Sequence, residues 1–102
     1  MQFHCTRERL GDVTVVTPFG DVDQDTAPDL LRALTTAIDE AGPNAVEVDM
    51  RHVTFMDSSG VGALLAANRL AGASGATVRV RNPVPAVRMV LDITNVWQLL
   101  GS

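Results

Sequence analysis

The stretch Val46 to Leu70, VEVDMRHVTFMDSSGVGALLAANRL, decides the fold because its hydrophobic period changes in mid-course. Val46, Val48 and Met50 alternate with Glu47, Asp49 and Arg51, which predicts a strand with one buried face. Thr54-Phe55-Met56 then leads into Asp57-Ser58-Ser59-Gly60, a run of capping and turn residues. After it, Val61, Leu64 and Leu65 fall at helical spacing, while Ala63, Ala66 and Ala67 supply helix propensity and let a neighbour come close. Two hydroxyls therefore sit where a helix begins.

Upstream, Phe3 to Arg9 reads as a first strand, and Leu10-Gly11-Asp12 as a hairpin turn into Val13-Thr14-Val15-Val16-Thr17. Pro18 lacks the N–H of a central ladder, so a bulge, a strand end or an unpaired edge is expected there. Phe19 to Thr26 is polar and turn-rich, and its end carries a helix start: Thr26 as cap, Asp29 completing a capping box, and Pro28 in the first turn. The helix runs to about Glu40 with Leu30, Leu31, Leu34 and Ile38 as its apolar stripe, and Gly42-Pro43 stops it.

Downstream, the central helix ends near Gly72 to Gly75, and Ala76 to Arg81 alternates again with Val78 and Val80 inward. Asn82-Pro83 breaks that strand, and a third helix starts around Pro85 with Val87, Val90 and Leu91 on one side. Asn95 to Leu100 reads as a short strand or a packed coil. The order strand, strand, helix, strand, helix, strand, helix predicts a single α/β domain, a mixed, mostly parallel sheet with an N-terminal antiparallel hairpin, packed with helices. Strands joined through a helix run parallel. The junctions at Gly20 to Thr26 and at Arg51 to Gly60 then emerge at one end of the sheet, where ligand and partner sites of open α/β sheets lie. Asp21, Asp23 and Asp25 are expected to share that end with Asp57, Ser58 and Ser59.

The chain of 102 residues has room for one domain, and a hydrophobic fraction of 46% without low-complexity runs fits a packed core. Its net charge is −4, and its eight cations are all arginines placed singly, which argues against a nucleic-acid surface. Without lysine there is neither a P-loop lysine nor a Schiff-base amine. Cys5 is alone, the first ten residues are no signal peptide, and no apolar run approaches a membrane span of about 18 residues. A soluble cytoplasmic protein is expected.

Asp57-Ser58-Ser59-Gly60 has two readings that exclude neither each other nor the fold. It caps a helix, and it exposes a hydroxyl fit to receive a phosphoryl group, a change of about −1.5 to −2 charges. A nucleophile elbow fails because Ser59 lacks the glycine two residues before it. A triad of Ser58 with His52 and Asp49 needs a geometry that sequence does not give. Gly60-Val61-Gly62 is a weak fragment of a phosphate loop, His4, Cys5 and His52 make no metal cluster, and Asp21 to Asp29 lacks the EF-hand spacing. No cofactor or metal site is read.

Phe55-Met56-Asp57-Ser58-Ser59-Gly60-Val61-Gly62, preceded by a strand bearing Asp49, resembles the signature of the STAS domain, specifically of bacterial anti-sigma-factor antagonists. Gly20-Asp21-Val22-Asp23 with Thr26-Ala27, the strand from Ala76 to Val80, and Pro85-Ala86-Val87-Arg88 leading to Asp92 agree in order and spacing, so the resemblance covers nearly the whole chain and implies one STAS domain over residues 1–102. It implies a switch rather than an enzyme. The unphosphorylated protein binds an anti-sigma factor that is also a serine kinase, freeing the sigma factor. The kinase phosphorylates Ser58, and a PP2C-type phosphatase resets it. Asp21, Asp23, Asp57, Ser58, Ser59 and Gly60 form the implied partner surface of a monomer or weak dimer. A transporter accessory module or other signalling subunit is the alternative within the family, and a serine hydrolase the alternative outside it. Pro18 and Asn95 depart from the family pattern, and many relatives continue past the position of Ser102 into a C-terminal helix, without which an apolar patch near Trp97 is expected.

Overall fold

The computed structural model describes residues 2–102. Strand β1 (His4–Leu10) turns at Gly11, whose φ of 63° suits glycine, and pairs antiparallel with β2 (Val13–Val22) from His4↔Phe19 to Leu10↔Val13. The long strand β2 has two parallel partners in succession. Its first half pairs with β3 (Ala45–Asp49), ending at Val16↔Val48, and its last residues pair with β4 (Val53–Met56), beginning at Gly20↔Val53. Strand β5 (Thr77–Arg81) lies parallel beside β3, giving the order β1-β2-β3-β5 with β4 next to β2.

Alternation in these strands sets the layers. Val16, Val46, Val48, Val78 and Val80 point to one face, buried with residues from all four helices: α1 (Ala27–Ala41), α2 (Ser58–Ala73), α3 (Pro85–Ile93) and α4 (Val96–Leu100). The opposite residues, Val13, Val15, Thr17, Phe19, Glu47, Asp49, Arg79 and Arg81, are half-buried or exposed, and that face stays open. Helix α2 is anchored by Val61, Ala63, Leu64, Ala67 and Ala71. Full burial of a leucine is worth about 1.5–3 kcal/mol, enough to fix where the start of α2 sits.

The parallel arrangement of β2, β3 and β5 agrees with expectation, but three local readings need correction. Val53 to Met56 is a strand, not merely a lead into the turn. Asn95 to Leu100 is neither strand nor coil: Asn95 takes a left-handed φ of 63° and starts α4, which buries Val96 and Leu100 one turn apart. Strand-like pairing comes only afterwards, at Gly101 against Val80. Leu31 is half-buried rather than core, because α1 faces the sheet through Ala27, Leu30, Leu34, Ala37, Ile38 and Ala41. Pro18 agrees with expectation: though buried in mid-strand, it lies in the interval where β2 pairs with neither β3 nor β4, next to a register shift at Gly20/Asp21.

Trp97 itself is half-buried with the Arg88 guanidinium 3.9 Å over its ring; the exposed apolar side chains of this region are Met89, Ile93 and Leu99.

Candidate functional site

Because β2 and β4 run in the same direction, their ends deliver two polar loops to one edge. Asp21 lies opposite Phe55 and Val22 opposite Met56, the Asp57 N–H donates to the Val22 carbonyl at 3.2 Å, and the Thr54 hydroxyl donates to the Asp21 carboxylate. Asp57 is the extended N-cap of α2. Its Oδ1 accepts the Ser59 N–H at 2.8 Å, and its carbonyl accepts the N–H groups of Gly60 and Val61 at 3.1 and 3.3 Å. Ser59 is half-buried. Ser58, one residue earlier, is exposed, and its hydroxyl makes no hydrogen bond among the described residues. The two hydroxyls thus differ in environment although they are neighbours.

Gly60 is buried because α2 lands directly on the strand ends. A Cβ there would lie 2.7 Å from Met56 Cγ and 2.8 Å from Val22 Cγ1. Gly62 is the opposite case, exposed and with nothing within 4 Å of the same position.

The other loop is tied by Asp23. Its Oδ1 accepts N–H groups from Asp25 at 2.9 Å and Thr26 at 3.1 Å, while its own N–H donates to Thr26 Oγ1 at 2.9 Å. Thr26 Oγ1 in turn donates to the Asp21 carbonyl at 2.7 Å. The expected capping box is therefore absent: the Thr26 hydroxyl is committed to the loop, and Asp29 pairs with Arg32 at 2.7 Å. Asp21, Asp23, Asp25 and Asp57 all reach this end, and none forms an ion pair among the described residues.

The residues of the imagined triad lie elsewhere in the bonding pattern. His52 stacks on Phe19, which stacks on His4, with centroids 4.5 and 4.6 Å apart. Burial opposes the charge on Asp49, but the N–H of Arg51, the Asn82 amide and the Arg51 guanidinium outweigh it and hold its carboxyl below the usual range. Neither residue bonds to Ser58. Burial, reinforced by Asp29, pushes the Cys5 thiol up to about 11, so it is not a reactive thiolate at neutral pH. Among the described residues no group of three His, Cys, Asp or Glu could hold a metal, and no helix is long and apolar enough to cross a membrane.

A feature that sequence reasoning missed adjoins Ser59. A groove of about 320 Å³ runs between the first turns of α1 and α2, lined by Gln24, Ala27, Pro28, Leu31, Ser59, Gly62 and Ala63. Leu31 is the signal for it, a leucine one position off the core spacing of its helix.

At this end of the sheet an aspartate caps a helix through the N–H of the second of two serines and leaves the first exposed. A family model described as "Mlab, STAS domain" matches residues 5–101. The chain belongs to the STAS domain family. A STAS-domain containing protein of Pseudomonas aeruginosa is 40% identical over 57 residues, 56% of each chain, so this STAS domain matches little more than half the length of that relative. The anti-sigma F factor antagonist of Paenibacillus polymyxa is 24% identical over 98% of this chain and 86% of its own. Among solved structures, the anti-sigma factor antagonist SpoIIAA in its unphosphorylated form superposes with a TM-score of 0.80 at 25% identity, covering 97% of this chain and 88% of its own.

Proposed function

We propose that this STAS domain is an anti-sigma-factor antagonist whose binding is switched by phosphorylation of Ser58. In its unphosphorylated form it binds an anti-sigma factor with serine kinase activity and releases a sigma factor; a PP2C-type phosphatase restores it. The observation that carries the reading is the exposed Ser58 hydroxyl at the first position of α2, unbonded among the described residues, at the same end as four aspartates that form no ion pair among those residues. Antagonists among the relatives, one of them described as an unphosphorylated form, support it.

An acidic end attracts a basic partner, and an added phosphate by itself would strengthen that attraction. Release has a second cause. Asp57 already occupies the Ser59 N–H, and the Gly60 N–H is bonded to the Asp57 carbonyl, so a phosphate on Ser58 finds those donors taken. It projects outward into a flush contact, carrying about −1.5 to −2 charges next to Asp57 and at a high cost of desolvation. Incubation with a cognate kinase and ATP, followed by mass spectrometry, is expected to place one phosphate on Ser58 and none on Ser58→Ala. Phosphate on another residue, or on none, overturns the assignment.

A second reading is an accessory module of a transporter or other signalling complex, since the same fold also occurs in a murine anion transporter. The two readings part at Ser58, which must accept phosphate only in the first.

A further inference from the structure

The groove beside Ser59 has walls of one kind and a rim of another. Ala27 and Leu31, one turn apart on α1, face Gly62 and Ala63 on α2, with Pro28 closing one side. The rim is acidic: Gln24 lies between Asp23 and Asp25, and Asp57 lies two residues before Ser59. None of these aspartates forms an ion pair among the described residues. We infer that the groove seats one apolar side chain of a partner's helix, with arginine or lysine on either side of that anchor facing Asp23, Asp25 and Asp57. Other occupants fit the charge less well. A second copy of this chain brings the same acidic end against itself, and its arginines are dispersed rather than grouped. An anionic lipid surface is repelled by the same rim.

The inference rests on reading this end as a partner surface, but phosphate transfer to Ser58 and occupation of the groove are measured separately, so either can fail alone. Gly62 supplies the decisive variant. A Cβ there meets nothing within 4 Å, and a glycine inside a helix is replaced at a gain in propensity, so Gly62→Trp is expected to reach into the groove from a position that tolerates a side chain. The probes are synthetic helical peptides with one central leucine flanked by arginines, matched peptides with glutamates for the arginines, and matched peptides with serine for the leucine.

Titrated into the full chain, the leucine–arginine peptide is expected to move the amide resonances of Gln24, Leu31, Ser59 and Gly62. Both matched peptides are expected to bind at least about tenfold more weakly. Gly62→Trp should lose binding of the leucine–arginine peptide while melting no lower than wild type, and Arg79→Ala on the open face of the sheet should keep both. Equal binding of the glutamate peptide, resonance changes confined to another surface, or no binding of any peptide overturns the inference. So does a folded Gly62→Trp protein that binds the peptide as wild type does.

Discussion

Two charged regions of this small domain are built on opposite plans. On the open face of the sheet, Glu47 meets Arg81 at 3.3 Å and Asp49 meets Arg51 at 3.0 Å, with Asn82 adding a further hydrogen bond to Asp49. At the sheet's end, Asp21 and Asp23 are satisfied by a threonine hydroxyl and by loop N–H groups, Asp57 by a helix N–H, and none by a cation among the described residues. The first region neutralises itself and presents a balanced, solvated surface. The second has its geometry fixed internally and its charge left uncompensated, which is what a surface waiting for a cationic partner requires.

The contrast breaks first on affinity. Ser58→Asp should weaken binding to a cognate anti-sigma kinase by about 2 kcal/mol or more, whereas Arg79→Glu on the open face should change it by less than about 0.5 kcal/mol, both read by calorimetric titration. Equal losses would remove the distinction between the regions. Raising salt should weaken the same complex, since its attraction comes from exposed charge.

Two glycines in the first turns of α2, Gly60 and Gly62, sharpen the comparison at the level of packing. Gly60→Val should cost about 1–3 kcal/mol in denaturant unfolding, because its side chain meets Met56 and Val22 inside the core. Asp57→Ala, which removes the cap, should cost about 1 kcal/mol. On the open face, Asp49→Asn should cost about 1 kcal/mol near neutral pH. Because the folded carboxyl of Asp49 sits below its ordinary value, that contribution is complete above about pH 4 and disappears as pH falls through the folded value, so the two proteins should converge in acid. Smallest of all, Gly62→Ala should gain about 0.5–1 kcal/mol.

Much of this architecture was legible where side-chain period and turn residues agree. The alternations at Val46 to Met50 and Val78 to Arg81, together with the intervening helix, gave the parallel sheet and brought Asp21 to Asp25 beside Asp57. Strand β4 was not legible: its burial runs in, out, out, in, so Val53 to Met56 lacks alternation and owes its form to pairing with β2. Helix α4 is too short to show a period, and its start is a left-handed asparagine rather than a capping side chain. The Thr26 capping box failed because a hydroxyl can serve a loop or a helix, and only the position of the Asp21 carbonyl decides which. The groove was hidden for a broader reason, since it exists only where α1 and α2 meet.

The switch itself is tested most directly by preparing the protein with phosphate on Ser58 and titrating both forms against the anti-sigma kinase that installs it. The unphosphorylated form should bind, and the phosphorylated form should bind at least about tenfold more weakly with its fold intact by circular dichroism. Equal affinity of the two forms would contradict the account.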